Sequence, residues 1–191
     1  MRGRLPMKIA FDVDGVVLNS IEVILEHIGE ITGRRIRIDE LGTWDLEVLG
    51  IDVKTLWRAV EWMYKAPVIA AYEGATRALS RIHRETREPL LFITGRSDPQ
   101  TAQRQLQALN WNPTVPKMVV TGGDRNKTQY LADHLVEFMV EDDVKHVQEY
   151  LDAGIRVGLM HRPWNRDYSQ AVTERFASWE ELEAWYFDHL R

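Results

Sequence analysis

Lys8-Ile9-Ala10-Phe11-Asp12-Val13-Asp14-Gly15-Val16-Val17-Leu18 is an apolar run interrupted by two aspartates, one residue apart, and then a glycine. Aspartate is depleted inside strands, and an unpaired carboxylate in a hydrophobic core is costly. A buried strand whose C-terminal end opens into a site reconciles the pattern, with both carboxylates facing a cation. The expectation is that Asp12 and Asp14 form a metal-supported catalytic pair. Taken alone, D-x-D-G reads better as a strand ending in an Asp-Gly turn, so the remainder of the chain has to decide between the two.

The 191 residues, 45% hydrophobic and 28% charged, suit one sizeable globular core with room for a small inserted subdomain. A net charge of -5 argues against broad non-specific binding to nucleic acid, while a local cationic pocket for a phosphorylated small molecule stays compatible with it. The absence of cysteine excludes disulfides, thiolate catalysis and Cys-based metal sites. Met1 to Pro6 is basic, but the apolar run behind it is short and broken by acids. Neither a signal peptide nor a membrane span is expected, and the reading is a soluble, cytoplasmic protein.

After the opening strand, Asn19 or Ser20 can cap a helix with Ile21, Ile24, Leu25, Ile28 and Ile31 at helical spacing, closed by Gly33. Arg34 to Asp39 reads as a short strand or an extended loop, and Val53 to Lys65 as a second helix ended by Pro67. Residues 19–72 are therefore expected to be a helical insertion, and 1–18 with 73–191 the core. From Gly74 the pattern is regular: helix Ala75 to Arg87, strand Leu90 to Ile93, and a helix with Asp98 as cap and Pro99 in its first turn. A strand Lys117 to Val120 and a helix from Lys127 come next. Then come a strand Phe138 to Val140 and a helix closed by Gly154. Ile155 to Met160 is read as the last strand, before a C-terminal helix carrying Trp179, Leu182, Trp185 and Tyr186.

Short continuous apolar strands alternating with helices predict an α/β fold, a parallel sheet covered on both faces. Ligands bind such sheets beyond the C-terminal strand ends. Four successive ends carry polar punctuation: Asp12/Asp14, Thr94, the loop leading to Lys127, and Glu141/Asp142/Asp143. Clustered carboxylates repel one another until a proton or a divalent cation offsets the charge. Oxygen ligands in small number suit Mg²⁺, and with no His in these segments a zinc site is not expected. A carboxylate beside Mg²⁺ and a lysine can attack phosphorus and form an aspartyl-phosphate. The Thr94 hydroxyl and the Gly95 amide would hold phosphoryl oxygens, and Lys127 would neutralise developing charge. The second aspartate would protonate the leaving oxygen and later activate water. Each has a plainer reading: Thr94 as a strand end, Lys127 as an exposed first-turn lysine, and the acids as favourable charges at a helix N-terminus.

The order of these motifs resembles the haloacid dehalogenase-like (HAD) phosphohydrolase superfamily. Its four motifs correspond to Phe11-Asp12-Val13-Asp14-Gly15-Val16, Phe92-Ile93-Thr94-Gly95-Arg96, Asn126-Lys127-Thr128 and Val140-Glu141-Asp142-Asp143, and span nearly the whole chain. The resemblance implies a three-layer Rossmann-like sheet with a small helical cap inserted after the first strand. It implies Asp12 as nucleophile and Mg²⁺ ligand, Asp14 as general acid/base and metal ligand through its carbonyl, and Asp142 as a further ligand. Whether Glu141 or Asp143 also contributes stays open. Thr94 and Lys127 would bind the phosphoryl group. A second aspartate at position 14 favours phosphate transfer over dehalogenation.

Within the superfamily, the short helical cap, the Ile93-Thr94-Gly95-Arg96 stretch and His161-Arg162-Pro163-Trp164-Asn165-Arg166 look like the 5'(3')-deoxyribonucleotidase-type nucleotidases. The flat faces of Trp44, Trp57, Trp62 and Tyr64 could hold a nucleobase, against the alternative that they pack the insertion. Arg96 could reach a phosphate or a sugar hydroxyl, or pair with an acid of the cap. The expected activity is a Mg²⁺-dependent phosphomonoesterase acting on (deoxy)nucleoside monophosphates. A sugar- or other metabolite-phosphatase is the alternative, and a receiver-like or silent phosphate-binding protein the distant one. In a receiver the lysine comes after the acids, whereas Lys127 precedes the second cluster.

Overall fold

The computed structural model of the protein describes residues 7–43, 46–123, 126–170 and 172–189. Six parallel strands form one sheet: β1 (Ile9–Phe11), β2 (Leu90–Thr94), β3 (Met118–Gly122), β4 (Phe138–Glu141), β5 (Arg156–Met160) and β6 (Glu174–Phe176). Their spatial order is β3-β2-β1-β4-β5-β6. The chain thus starts in the middle, builds outward to β3, and returns to the other side of β1 with β4. A crevice opens at that reversal, beyond the carboxyl ends of β1 and β4. The register pairs Phe11 with both Phe92 and Val140, so Asp12 lies one step beyond paired backbone and next to Glu141.

Side chains alternate across each strand and supply two apolar layers. Phe11, Phe92, Phe138, Val140 and Phe176 face one layer, which packs α1 (Ser20–Thr32), α2 (Val53–Lys65), α3 (Ala75–Thr86), α4 (Pro99–Gln107) and α7 (Trp179–His189). Ala10, Leu91, Ile93, Met139 and Leu159 face the other, which packs α5 (Lys127–Asp133) and α6 (Val147–Asp152). Helices therefore cover both faces of the parallel sheet, as its apolar strands require.

The insertion between β1 and β2 is pinned at its root. Leu18 bridges Ala71 antiparallel, with Asn19 N–H donating to the Ala70 carbonyl at 2.8 Å and Tyr72 N–H to that of Val17 at 2.9 Å. The buried residues Ile21, Ile24, Leu25 and Ile28 of α1 and Ala59 and Met63 of α2 belong to the same apolar cluster as the sheet. Gly33 ends α1 in the left-handed conformation, and the side chains of Asp52, Asp98 and Asn126 cap α2, α4 and α5. Asn19 makes no side-chain cap, because its backbone (φ -78°, ψ 55°) serves the pinned root instead.

Of the two readings of Arg34 to Asp39, the extended loop holds, and it runs into a short 3-10 turn, Ile38–Glu40. One expectation changes. Ile155 to Met160 is not the last strand, because β6 pairs parallel to β5 at the sheet edge. Only Phe176 of its three residues is buried, too little apolar pattern to announce a strand. Among the described residues no helix is long and apolar enough to cross a membrane.

Candidate active site

Asp12 leaves the end of β1 with its amide donating to the Val140 carbonyl at 2.9 Å, so the backbone fixes where its side chain starts. Lys127 opens α5, set in place by the Asn126 cap, which accepts the Gln129 amide at 3.0 Å. Its ammonium lies 2.8 Å from Asp12 Oδ1 and 2.7 Å from Glu141 Oε1. Glu141 is held from its other sides: Tyr150 Oη donates to Oε1 at 3.2 Å, and the Asp142 amide to Oε2 at 3.0 Å. Burial, and then the Glu141 charge, push the Asp12 carboxyl well above the usual range despite Lys127. Burial opposes the Lys127 ammonium, but Asp12 and Glu141 outweigh it and hold its pKa well above the ordinary value.

Three acids gather here, and Lys127 pairs with two of them. Carboxylate oxygens of Asp12, Glu141 and Asp142 all lie within 4.8 Å of one another. The surplus negative charge and the all-oxygen donor set fit a hard divalent cation such as Mg²⁺. Both Glu141 oxygens already accept hydrogen bonds, which leaves Asp12 and Asp142 better placed to hold an ion. The Trp164 indole N–H donates to Asp142 Oδ2 at 2.9 Å. Asn165 Nδ2 ties the Asp142 carbonyl to that of Met160, at 2.8 Å each. Gly15 closes the other side: at φ +79°, a Cβ on it would lie 2.1 Å from Asp142 Oδ2. Arg162 Nε holds the Gly15 carbonyl at 2.7 Å, with its guanidinium 3.7 Å above the Tyr72 ring.

Asp14 points elsewhere. Its carboxylate meets the Arg96 fork, with Nε to Oδ2 at 2.8 Å and Nη2 to Oδ1 at 2.6 Å. Arg96, only 2% exposed, pairs with this core aspartate and not with an acid of the insertion. Burial works against its cation, and Asp14 outweighs that and raises its pKa. Thr94 is buried at the end of β2, where its Oγ accepts the Arg96 amide at 3.2 Å. Gly122 of β3 lets the strands approach there: at φ +149°, a Cβ on it would stand 1.9 Å from the Thr94 carbonyl oxygen.

Asp12, Asp14, Gly95, Arg96, Lys127 and Asp142 share one cleft of about 170 Å³, with Tyr64 and Asp143 completing its wall. Thr94 sits behind that wall. Trp44 lies outside the described residues. Trp57 and Trp62 are 59% and 54% exposed, and Trp62 stacks on His27 with ring centroids 4.6 Å apart. Tyr64 is thus the one described member of the aromatic set that lines the cleft. The sequence reading missed Glu141 as a partner of Lys127, and Gln105 behind Arg96. Trp164 and Asn165 fall in the segment it singled out, with no role given to either.

The family model for 5' nucleotidase, deoxy (pyrimidine), cytosolic type C proteins matches residues 6–187. The chain belongs to this family. No curated protein matches the sequence. Among solved structures, a predicted phosphoglycolate phosphatase from Haemophilus somnus superposes with a TM-score of 0.66 at 14% identity, covering 94% of this chain and 97% of the other. CbbY from Rhodobacter sphaeroides, in complex with phosphate, gives 0.61 at 14% identity, covering 91% and 95%. A haloacid dehalogenase-like hydrolase, SP0104 from Streptococcus pneumoniae, gives 0.61 at 13% identity, covering 94% and 98%. At such identities the likeness speaks to the fold, which is that of the HAD superfamily. This nucleotidase-family chain is accordingly an enzyme, a hydrolase of phosphoric monoesters.

Proposed function

We propose that the enzyme hydrolyses (deoxy)nucleoside monophosphates with Mg²⁺, through an aspartyl-phosphate on Asp12. The observation that carries this reading is the separation of two carboxylates in one cleft: Asp12 against Lys127, and Asp14 against Arg96. Asp12 Oδ attacks phosphorus as the bond to the ester oxygen breaks, and Asp14 gives that oxygen its proton. Lys127 and the Gly95 amide receive the phosphoryl oxygens, and Thr94, behind the cleft wall, holds the Arg96 amide beside them. Asp14 then takes a proton from water, which attacks the acyl-phosphate, frees inorganic phosphate and restores Asp12. Mg²⁺, held by Asp12, Asp142 and the Asp14 carbonyl, would supply charge neutralisation at the phosphoryl group.

The family match supports a nucleotide as substrate and the cytoplasm as location. Tyr64 on the cleft wall supports a flat base, with Trp44 as the further aromatic candidate. Residues 19–72 act as the cap over a core made of 1–18 and 73–191. A panel of nucleoside 5'- and 3'-monophosphates, sugar phosphates and other phosphomonoesters, assayed with Mg²⁺, tests the reading. Nucleotides are expected to give the highest kcat/KM, and excess chelator to stop turnover. A preference for sugar phosphates would replace the nucleotidase assignment with that of a metabolite phosphatase.

A further inference from the structure

A buried polar chain joins the end of α2 to the cleft. Gln105 of α4, 1% exposed, donates through Nε2 to the carbonyls of Met63 and Ala66, at 2.9 and 2.8 Å. Those carbonyls belong to the last turn of α2 and the residue that ends it. The other end of the same amide, Oε1, accepts Arg96 Nη1 at 2.7 Å, and Thr101 Oγ lies 3.4 Å from Nη1. Arg96 Nε and Nη2 grip Asp14. Four of the five N–H groups of the guanidinium are therefore committed inside the protein. The Tyr64 ring, also from α2, faces it at 5.1 Å.

A two-pronged guanidinium–carboxylate pair fixes the plane of the carboxylate as well as its position. Proton transfer requires that alignment, because a donor must lie within hydrogen-bond reach of the atom it serves. Buried amides and cations are retained when each polar atom has a partner, and this chain gives the Gln105 amide and the Arg96 fork such partners from three segments. We infer that Arg96 is the positioning residue for Asp14, and that Gln105 sets Arg96 according to the position of α2. The inference rests on Asp14 being the proton carrier of the proposed reaction: the fork holds its ionised form, the form that takes a proton from water, and one prong yields when that proton is carried to the ester oxygen of the next substrate. Arg96 then acts on the substrate through Asp14, and the insertion is coupled to the proton step.

Leaving-group dependence tests this, because p-nitrophenolate departs without needing a proton and an alkoxide does not. Arg96→Lys keeps the cation and removes the fork. Its kcat/KM should fall roughly 100-fold on an alkyl phosphate, the scale of a misplaced general acid, and less than about 5-fold on p-nitrophenyl phosphate. The Ki for inorganic phosphate should not change. Gln105→Met, which removes no charge, should show the same selectivity at about 10-fold, and decides the matter if Arg96→Lys lowers the melting temperature. On an Asp14→Asn background, Arg96→Lys should add no further loss. Equal losses on the two substrates, a weakened Ki for phosphate, or additive losses on that background would each overturn the inference while the activity stands. A wild-type enzyme inert toward every phosphomonoester would overturn the proposed activity, and this inference with it.

Discussion

Lys127 donates to Glu141 at 2.7 Å, so the ammonium that faces Asp12 is shared with a second buried carboxylate. The lysine is more than a phosphate ligand: it offsets charge that the fold has already buried. Lys127→Met would leave Asp12 and Glu141 without the cation they share. Removing one member of a buried ion pair destabilises by about 3–5 kcal/mol. Urea unfolding without metal should show a loss of that order, and Mg²⁺ should restore part of it. Unchanged stability in the metal-free variant would show that the ammonium does not offset those charges.

Asp12→Asn should separate chemistry from folding. The carboxylate is the attacking group, and its charge is disfavoured by burial and by Glu141. The amide removes the nucleophile and the charge together while keeping the side chain's shape. Turnover of every substrate should vanish, and the metal-free melting temperature should hold or rise. Substantial residual turnover would remove Asp12 from its role.

The same shift sets a pH dependence. The folded-state pKa of Asp12 lies well above its ordinary 3.8, so the native state holds this proton more tightly than the unfolded chain. Its contribution to stability therefore falls as pH rises from about 3.8 through the raised value. Asn at this position has no proton to lose. The melting temperature of Asp12→Asn relative to wild type should climb with pH over that window in chelator. Mg²⁺ should close the gap by pairing with the ionised form. A gap that stays constant with pH would contradict the assignment.

Much of this arrangement was legible because its signals are local. β1, β2 and β4 are buried on both faces and read as unbroken apolar runs, so the polar residues that end them stand out. Asp98 and Asn126 read as caps because a side-chain acceptor just ahead of a helix has few other uses. β6 has no such signature, since an edge strand with one buried residue owes its place to β5. The Asp14–Arg96 pair joins residues 82 apart, and nothing in either neighbourhood specifies the partner. Gln105 looks like any polar residue on an amphipathic helix until α2 is packed against it. Trp57 and Trp62 could be read either way from sequence, as base-holding faces or as packing of the insertion; on the helix both stay more than half exposed, with Trp62 stacked on His27.

Gly15 offers a test of the metal site that leaves every proposed ligand side chain in place. The residue adopts φ +79°, and its missing side chain is the space in which Asp142 Oδ2 lies. Gly15→Ala would strain the backbone by about 1–3 kcal/mol and also drive a methyl group into the Asp142 carboxylate. The carboxylate is held by the Trp164 indole, so it cannot retreat without giving up that bond. Mg²⁺ affinity, read from the melting-temperature rise on titration, should fall at least about tenfold, beyond what the backbone strain alone would do. Gly15→Asn separates the two effects differently, since Asn tolerates positive φ better than Ala yet brings a larger side chain to the same place. It should recover backbone stability relative to Gly15→Ala and bind Mg²⁺ no better. Wild-type Mg²⁺ affinity in both variants would show that Asp142 does not hold the ion.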